Sequence, residues 1–453
     1  MKNYFKNHNW IITLTTAILL LIGIVTVFST TYFAQTPSQG QGVFPKHLLL
    51  VCIGLISYYV ITSFDYRFLK EPVFLTIIYI VSIILLLYAR FLSPEISQTT
   101  RWIKLGPFSI QPAEFTKISI ILITSAILFI TKLHEGKIPF KKPKQTKNKY
   151  YKFILNHLFQ TKFLASLLII SPLILLILTQ PALGNALISL IIFAFIIAFA
   201  YPDKKELFLY FILLFISTLI GYFLLNYSVF LNLIAIVIFM IVLWSFIKIS
   251  KLSLINTLIF VITGLTIIPI FTYTWNNHIK PYQKSRIESF LNPQKDPQGQ
   301  GWQVNQARIA VGSAGIFGKG FMQGTQSRYS ILPFSYTDFA FAGFYEQFGL
   351  IGGTTLLGLL LFLCYQIFII AKKLEDPFAS TIVFGIMCMF FLHTVLHIGM
   401  NVGILPVTGI PLPLVSYGGS SIVVNMIALG IIQNTLKYQK EDLCAIKVGM
   451  YTK

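Results

Sequence analysis

The segment from residue 286 to 327, RIESFLNPQKDPQGQGWQVNQARIAVGSAGIFGKGFMQGTQS, carries several cations around one central carboxylate, that of Asp296. Lys295 precedes this carboxylate and Pro297 follows it. Such cations stabilise the phosphate or carboxylate groups of an anionic ligand, and a carboxylate among them is a candidate for catalysis. An Asp-Pro pair is also an ordinary way to begin a turn, so the local sequence leaves both interpretations open.

Glycines recur through the same segment and permit tight turns or a close approach of the backbone to a ligand. The sequence FGKG suggests a phosphate-binding loop, but the full pattern fails. Ser313 stands where such a loop needs its first glycine, and Lys319 is followed by Gly320 in place of Ser or Thr. The surrounding residues do not predict the strand and helix that a dinucleotide-binding GxGxxG motif requires.

A second polar motif, RWIKLGPFSIQPAEFTKI at 101 to 118, leads into a long apolar run. Pro112 suits the first turn of a helix, and Glu114 and Lys117 then lie on one face near its outer end. The pair can be a simple intrahelical ion pair, with the acid favoured by the helix dipole. Ionisable groups at membrane depth are costly, however, and normally face a cavity or a partner, which favours a functional role.

Two C-terminal motifs, YTDFAFAGFYEQFGLIGG (336–353) and GILPVTGIPLPLVSYGGSS (403–421), combine polar and apolar residues. The three prolines of the second motif exclude a regular helix, so we predict a re-entrant or cavity-lining segment there. Asp338 and Glu346 lie near the outer end of a long predicted helix. They either line the cavity or pair with nearby cations.

Metal and disulfide chemistry are not predicted. His393 and His397 have the spacing of helical metal ligands, but neither an HExxH glutamate nor a third ligand accompanies them, so structural packing is the favoured interpretation. No two cysteines form a CxxC pair, which argues against a zinc site or a disulfide framework. The cysteines lie in apolar runs or near the C terminus, at Cys52, Cys364, Cys388 and Cys444.

The elements that hold these residues are predicted to be membrane helices. Of 453 residues, 55% are hydrophobic and only 11% charged, whereas soluble domains are about one quarter charged. Long apolar runs without the alternation of barrel strands select helices, and the first run is too long for a signal-peptide core. We predict about twelve spans, near 11–33, 46–64, 72–92, 111–132, 163–180, 182–201, 206–226, 229–248, 252–275, 337–371, 379–400 and 414–436.

Charge placement orients these spans. The formal net charge is +20, and most cations fall in alternate turns on one side, including a basic loop at 132–162, so both termini are predicted to be cytoplasmic. This distribution explains the basic composition without a nucleic-acid partner. Two outer segments break this rule of charge placement: residues 93–110 and a polar loop at 276–336. The loop has no obvious helical periodicity. The loop carries seven cations against two acids, which favours an anionic ligand at the outer face.

Several motifs resemble, in order and spacing, those of the SEDS family (shape, elongation, division and sporulation): QPAEFTKI, DPxGxGW followed by QARIAVGSAGIFGKG, GTQS, TDFAFA, EQFG and PVTGIPLPLVSYGGSS. The match covers nearly the whole chain, and GTQS and PVTGIPLP are more similar to the RodA elongation branch than to the FtsW division branch. The resemblance implies one all-α polytopic membrane domain over 1–453, with a ten-helix core and a large extracytoplasmic catalytic loop at 276–336.

The same resemblance implies an activity and partners. It indicates a peptidoglycan glycosyltransferase that polymerises lipid II at the outer face of the cytoplasmic (inner) membrane during cell elongation. A class B penicillin-binding protein is the expected transpeptidase partner, together with other membrane proteins of the elongation machinery. Two alternatives stay open, because a lipid II flippase would also have many helices and intramembrane charges, and a scaffold of the cell-wall machinery would need no chemistry.

This sequence departs from the family pattern in places. The region 206–275 supplies three predicted helices where the core has one, so we expect an inserted helical pair that packs peripherally. Ala182 stands where the family usually has Asp, and Asn185 where Thr is common. Ala314 replaces a usual Gly, and His397 stands where Asn is common. The geometry around these positions is therefore expected to differ.

The acidic residue of the DP motif is essential in the family, which makes Asp296 the expected catalytic residue. The donor linkage is α and the product linkage β, so we expect one inverting displacement, with Asp296 as the base and outer cations on the departing pyrophosphate. A divalent cation such as Mg2+ or Mn2+ could share the second task, although no protein cage for it is predicted. The expected substrate-binding residues are Arg101, Lys104, Glu114, Lys117, Gln306, Arg308, Lys319, Gln326, Asp338 and Ser416.

Overall fold

The computed structural model describes residues 8–36, 39–93, 100–106, 108–129, 165–180, 182–201, 205, 208–209, 212, 215–220, 261–262, 265, 269, 272, 284, 286, 288, 290 and 299–451. The chain divides into two compact units. The first comprises Met1–Lys144, Ala165–Ile196 and Ser285–Lys453, and the second Gln145–Leu164 and Ile197–Lys284. Every candidate site residue that the structure describes belongs to the first unit. The outer end of this unit is the end that carries the described part of the loop 276–336, which the charge distribution predicts to be extracytoplasmic.

Six apolar helices form the first half of the described chain. The side chain of Asn9 caps the first by accepting hydrogen bonds from two backbone amides of its first turn, and the third and fourth begin with a proline, as helix starts favour. The helices are α1 (Trp10–Thr31), α2 (Val43–Ser63), α3 (Pro72–Phe91), α4 (Pro112–Phe129), α5 (Ala165–Thr179) and α6 (Leu183–Ala200).

The outer end of the first unit carries short elements between the long helices. Strands β1 (Ile103–Leu105) and β2 (Phe108–Ile110) pair antiparallel between α3 and α4. Helices α7 (Gln300–Gly312) and α8 (Thr325–Arg328) precede the three long C-terminal helices, α9 (Ala340–Lys373), α10 (Pro377–Asn401) and α11 (Ser421–Tyr451).

The all-α membrane architecture is confirmed. Seven of the described helices, α1 to α4, α6, α9 and α10, are long and apolar enough to cross a membrane, and α5 is a shorter apolar helix. The predicted basic loop at 132–162 and most of the region 206–275, including the inserted pair, lie outside the described residues. The predicted span 414–436 starts too early, because α11 begins only at Ser421 after the irregular segment.

Helix α7 contradicts the expectation of a loop without helical periodicity. It packs through small side chains, those of Ala307 and Ala310 with Val304, against residues that include Phe339 and Met400. These alanines let the helix approach α9 and α10 closely, and they produce only a weak apolar stripe in the sequence. The pattern of large hydrophobic residues therefore does not reveal this helix.

The segment 402–420, which joins α10 to α11, is irregular as predicted. Its backbone is held by the elements around it. The ring of His397 shares a hydrogen bond of 2.7 Å with the carbonyl of Ile410, and the amide of Tyr417 donates to the carbonyl of Tyr336 at 2.8 Å. Buried irregular backbone persists only where its polar groups find such partners, so these contacts fix the path of the segment.

Helix α9 is broken at Gly349, which has φ 65° and ψ −161°. The break frees backbone groups that a continuous helix would pair, and the segment 315–320 supplies their partners. A Cβ on Gly349 would overlap the backbone of this segment, so glycine is required there for both conformation and space. Four amide-to-carbonyl bonds join the two segments: Lys319 to Glu346 (2.9 Å), Gly320 to Gln347 (3.0 Å), Leu350 to Gly315 (3.0 Å) and Ile351 to Ile316 (3.2 Å).

Candidate active site

Asp338 lies just before α9 at the outer end of the first unit, and its backbone is fixed by α10. The side chain of Asn401, fully buried at the end of α10, donates to the carbonyl of Asp338 at 3.0 Å and accepts from the amide of Ala342 at 3.0 Å. One amide side chain thus bridges the irregular residue and the first turn of α9. The backbone that carries the half-buried carboxyl group is therefore held in place by a residue of a neighbouring span.

Two arginines lie near the Asp338 carboxyl group. Burial raises the pKa of Asp338, and the guanidinium groups of Arg101 and Arg286 act in the opposite direction by attracting the ionised form. Gly409 of the irregular segment closes a further side, because a Cβ there would lie 3.6 Å from Oδ2 of Asp338 and 3.7 Å from Nη1 of Arg286. The planar donors of guanidinium groups suit the oxygens of an anion, so this cluster is a candidate anion-binding site.

Two tyrosines lie beside this cluster. The rings of Tyr336 and Tyr417 have centroids 6.2 Å apart. Burial raises the pKa of both phenols, and the charges of Tyr417 and Asp338 raise that of Tyr336 further. Both hydroxyl groups therefore keep their protons at neutral pH and can donate hydrogen bonds to a ligand oxygen.

Glu114 and Lys117 form a buried pair within α4. Nζ of Lys117 lies 2.8 Å from Oε1 of Glu114 and 2.8 Å from Nε2 of His393 on α10, and all three side chains are almost completely buried. The second carboxylate oxygen of Glu114 and Nδ1 of His393 have no hydrogen-bond partner among the described residues. Buried polar atoms are normally satisfied, so these two remain available to a ligand or to water.

Lys319 and Glu346 form a second ion pair, with a fully buried acid and a partly exposed lysine, and it holds the loop between α7 and α8. The fully buried carboxylate of Glu346 accepts from Nζ of Lys319 at 2.8 Å, the hydroxyl of Thr325 at 3.0 Å and the amide of Gln326 at 2.9 Å. The amide of Ser327 lies 3.3 Å from its other oxygen. Lys319 was predicted to bind substrate, but here it anchors the loop to α9, as does the backbone of Gln326.

The remaining predicted residues occupy different environments. Lys104 is exposed on β1, opposite Ser109. Gln306 is half-buried on α7, and Arg308, exposed on the same helix, donates to the carbonyl of Gly403 at 2.7 Å. The hydroxyl of fully buried Ser416 accepts from a backbone amide of its own segment, which is a structural bond. Asp296 lies outside the described residues.

The structure therefore brings Arg101 and Asp338 together, and it adds residues that the sequence did not single out. Arg286 was counted among the outer cations without a role, and Asn401 gave no local signal because its partner lies far away in the chain. His393, for which structural packing is the favoured interpretation, is fully buried and contacts Lys117. No group of three or more His, Cys, Asp or Glu residues that could hold a metal ion occurs in the described part of the chain.

Comparison with known proteins supports the resemblance. A family model described as cell cycle protein, covering FtsW, RodA and SpoVE, matches residues 9–231 and 229–441. The peptidoglycan glycosyltransferase RodA of Treponema pallidum (strain Nichols) is 29% identical over 450 residues, which cover 95% of this chain and 97% of that protein. The peptidoglycan glycosyltransferase MrdB of Escherichia coli (strain K12) is 41% identical over 166 residues, 37% of this chain and 45% of that protein.

Solved structures show the same fold. A chain from a peptidoglycan synthase complex has a TM-score of 0.60 and 21% identity, covering 95% of this chain and 98% of that chain. The rod shape determining protein RodA of Thermus thermophilus has a TM-score of 0.54 and 18% identity, covering 95% of this chain and 97% of that one. Two independent solved structures thus share the arrangement of helices over nearly the whole length.

Proposed function

The chain belongs to the cell cycle protein family of FtsW, RodA and SpoVE, and from that premise we propose that it is a peptidoglycan glycosyltransferase that polymerises lipid II during cell elongation. Relatives that carry the name of this activity align with 95% of the chain. The reaction takes place at the outer face of the cytoplasmic membrane, with both chain termini inside, in keeping with the distribution of lysines and arginines.

One observation carries the assignment of the site: Asp338 lies half-buried near two guanidinium groups, those of Arg101 and Arg286. A pyrophosphate that leaves a sugar carries negative charge away from the reacting carbon. Fixed guanidinium groups in a partly dry site stabilise such charge far better than water does, and their planar donors suit phosphate oxygens. Arg101 and Arg286 are therefore the proposed pyrophosphate-binding residues, with Asp338 orienting them.

The reaction is one displacement at the anomeric carbon. The acceptor 4-hydroxyl oxygen forms a bond to C1 of the donor sugar, while the bond from C1 to the pyrophosphate oxygen breaks and the polyprenyl pyrophosphate leaves with that electron pair. Asp296 takes the hydroxyl proton, which is the role of the base in an inverting glycosyl transfer. Inversion converts the α linkage of the donor to the β linkage of the product.

Glu114 and Lys117 keep their proposed role in substrate binding. One oxygen of Glu114 is a buried acceptor without a donor among the described residues, and leaving such an atom without a donor costs roughly 1–3 kcal/mol. A sugar hydroxyl or an ordered water would remove that cost. The proposed substrate contacts on the outer surface are Lys104, Gln306 and Arg308. Three other residues hold the surrounding backbone in place: Lys319, Gln326 and Ser416.

A divalent cation fits the described residues poorly. Mg2+ and Mn2+ prefer several oxygen ligands, carboxylates above all. The described part of the Asp338 cluster combines one carboxyl group with two guanidinium groups, which repel a cation. Charge stabilisation in this proposal therefore rests on arginine, and no step is assigned to a metal.

A class B penicillin-binding protein is the proposed partner, together with other membrane proteins of the elongation machinery. Cross-linking of the new strand is a separate reaction that needs a transpeptidase. The similar chain from a peptidoglycan synthase complex supports an assembly of this kind. The inner membrane is the proposed location, because it is there that lipid-linked sugars meet such a partner.

Incubation of the detergent-solubilised protein and its partner with labelled lipid II tests the proposal. Glycan chains on a gel support the enzyme, because flipping cannot produce polymer without a bilayer. Asp296→Ala should abolish the chains and Arg286→Gln should lower their yield strongly. The control Arg328→Gln removes an outer cation that lies over the ring of Phe33, and it should leave the yield of glycan chains unchanged. Absence of chains under every condition would favour a flippase or scaffold, and equal yields from all variants would refute the site.

A further inference from the structure

The segment 315–320, which completes the broken helix α9, exposes two large apolar side chains at its tip. Ile316 is 58% exposed and Phe317 80% exposed. The backbone beside them is already hydrogen-bonded to α9, through the carbonyls of residues 315 and 316 and the amides of residues 319 and 320. The tip thus combines apolar side chains with satisfied backbone, which are the two properties that an element needs in order to enter a membrane.

The length of α9 places this tip along the membrane normal. The part of α9 after the break, Leu350–Lys373, is about 24 residues long, or roughly 36 Å at 1.5 Å per residue. A bilayer core is about 30 Å thick, so this part spans it without help from the residues before Gly349. Lys372 and Lys373 mark its cytoplasmic end in the predicted orientation. The break therefore lies at the outer boundary of the bilayer.

Helix α1 independently gives the same position of the tip along the membrane normal. The side-chain amide of Gln347, two residues before the break, donates to the hydroxyl of Ser29 at 3.0 Å. Ser29 is in the last turn of α1, a 22-residue apolar helix that ends at Thr31. Exposed Tyr32 and Phe33 follow directly, as aromatic residues do where a span leaves the hydrocarbon. Two separate spans thus place the tip at the outer interface.

From this geometry we propose that Ile316 and Phe317 insert into the outer leaflet and anchor the extracytoplasmic loop to the phospholipid bilayer. The neighbouring side chains of Leu350 and Ile351 are also about half exposed, so the tip continues the lipid-facing surface of α9. Lys319 directs its ammonium group to Glu346, so insertion desolvates no unpaired charge at this residue. The anchor fixes the height of α7 and α8 relative to the membrane.

Photo-crosslinking in vesicles tests the anchor. p-Benzoylphenylalanine in place of Phe317 resembles the native ring and needs no removal of cysteines. The protein is reconstituted into vesicles of phosphatidylethanolamine and phosphatidylglycerol, irradiated and examined by mass spectrometry for phospholipid adducts. Position 21, exposed in the middle of α1, is the lipid-facing control, and position 35, exposed beyond the outer end of α1, is the aqueous control. Adducts are expected at 317 and 21 and not at 35.

Adducts at position 21 alone would overturn the proposal, as would cross-links from position 317 only to a partner protein. A second variant, Phe317→Trp, gives an independent measurement. Its difference fluorescence against the wild type should be quenched by phospholipids brominated near the headgroup more than by those brominated at the chain ends, and no quenching by either would count against insertion. Neither readout depends on glycosyl transfer, so the anchor and the enzymatic proposal succeed or fail separately.

Discussion

The cluster around Glu346 allows a quantitative prediction, because the two charged groups of its ion pair, on Glu346 and Lys319, are buried to different extents. The carboxylate is fully buried and accepts hydrogen bonds from a lysine, two hydroxyl groups and two backbone amides, whereas the side chain of Lys319 remains 23% exposed. Removing the carboxylate should therefore cost more than removing the ammonium group. If Lys319 only bound substrate, stability would be insensitive to removal of its ammonium group.

Magnitudes follow from these contacts. Glu346→Gln keeps the shape and one acceptor oxygen but loses the charge, and charge-assisted hydrogen bonds contribute about 1.5–3 kcal/mol, so we expect a local loss of about 2 kcal/mol. Glu346→Ala removes every acceptor and should cost about 3 kcal/mol, at the low end for a broken buried pair because the lysine reaches water. Lys319→Met should cost only about 1 kcal/mol, since the other donors still satisfy the carboxylate.

Hydrogen exchange at the amides of Gln326 and Ser327 measures these losses directly. A loss of 2 kcal/mol corresponds to an increase of about 30-fold in the exchange rate of amides that open locally. The amide of Ile382, in the second turn of α10, serves as an internal reference that none of the changes should affect. The reasoning is refuted if Lys319→Met speeds exchange as much as Glu346→Ala does, or if Glu346→Gln leaves both amides unchanged.

Three further predictions concern stability. Lys117→Met leaves the carboxylate of Glu114 buried without its cation and should lower the free energy of unfolding by about 3–5 kcal/mol, and adding Glu114→Gln should recover part of it in thermal unfolding. Gly349→Ala should destabilise by at least about 1–3 kcal/mol, whereas Gly358→Ala, with open space in the same helix, should be neutral or stabilising. Because burial raises the pKa of Asp338 above the value of about 3.9 in the unfolded chain, the free energy of unfolding should fall as pH rises between the two values. Asp338→Asn should remove this slope, and equal slopes would contradict it.

The parts of the fold that the sequence predicts correctly are those set by neighbouring residues. Apolar runs decide the spans, and the prolines of the segment 403–421 decide where a helix cannot form. The pairing of Glu114 with Lys117 follows from three-residue spacing on one helix, and the structure has it at 2.8 Å. Each of these features is a property of a short window.

The features that the sequence does not reveal depend on residues far apart in the chain. Asn401 fixes Asp338 across 63 positions, and the break at Gly349 is stable only because the segment 315–320 supplies the missing hydrogen-bond partners. No local pattern encodes either partnership. Helix α7 was missed for a different reason, since its buried face is built from alanines, which contribute little to an apolar stripe.

Asp338 and Glu346 illustrate how burial and hydrogen bonding separate two carboxyl groups that look equivalent in sequence. Asp338 precedes α9 and Glu346 lies in its second turn. Both were expected either to line a cavity or to pair with cations. Glu346 is fully buried and both of its oxygens are occupied by donors of its own chain, so it has no capacity left for a ligand. Asp338 remains half-buried; burial raises its pKa, and the two nearby arginines act in the opposite direction. Saturation of the acceptor oxygens therefore distinguishes the structural carboxylate of Glu346 from that of Asp338, which we propose to act in the site.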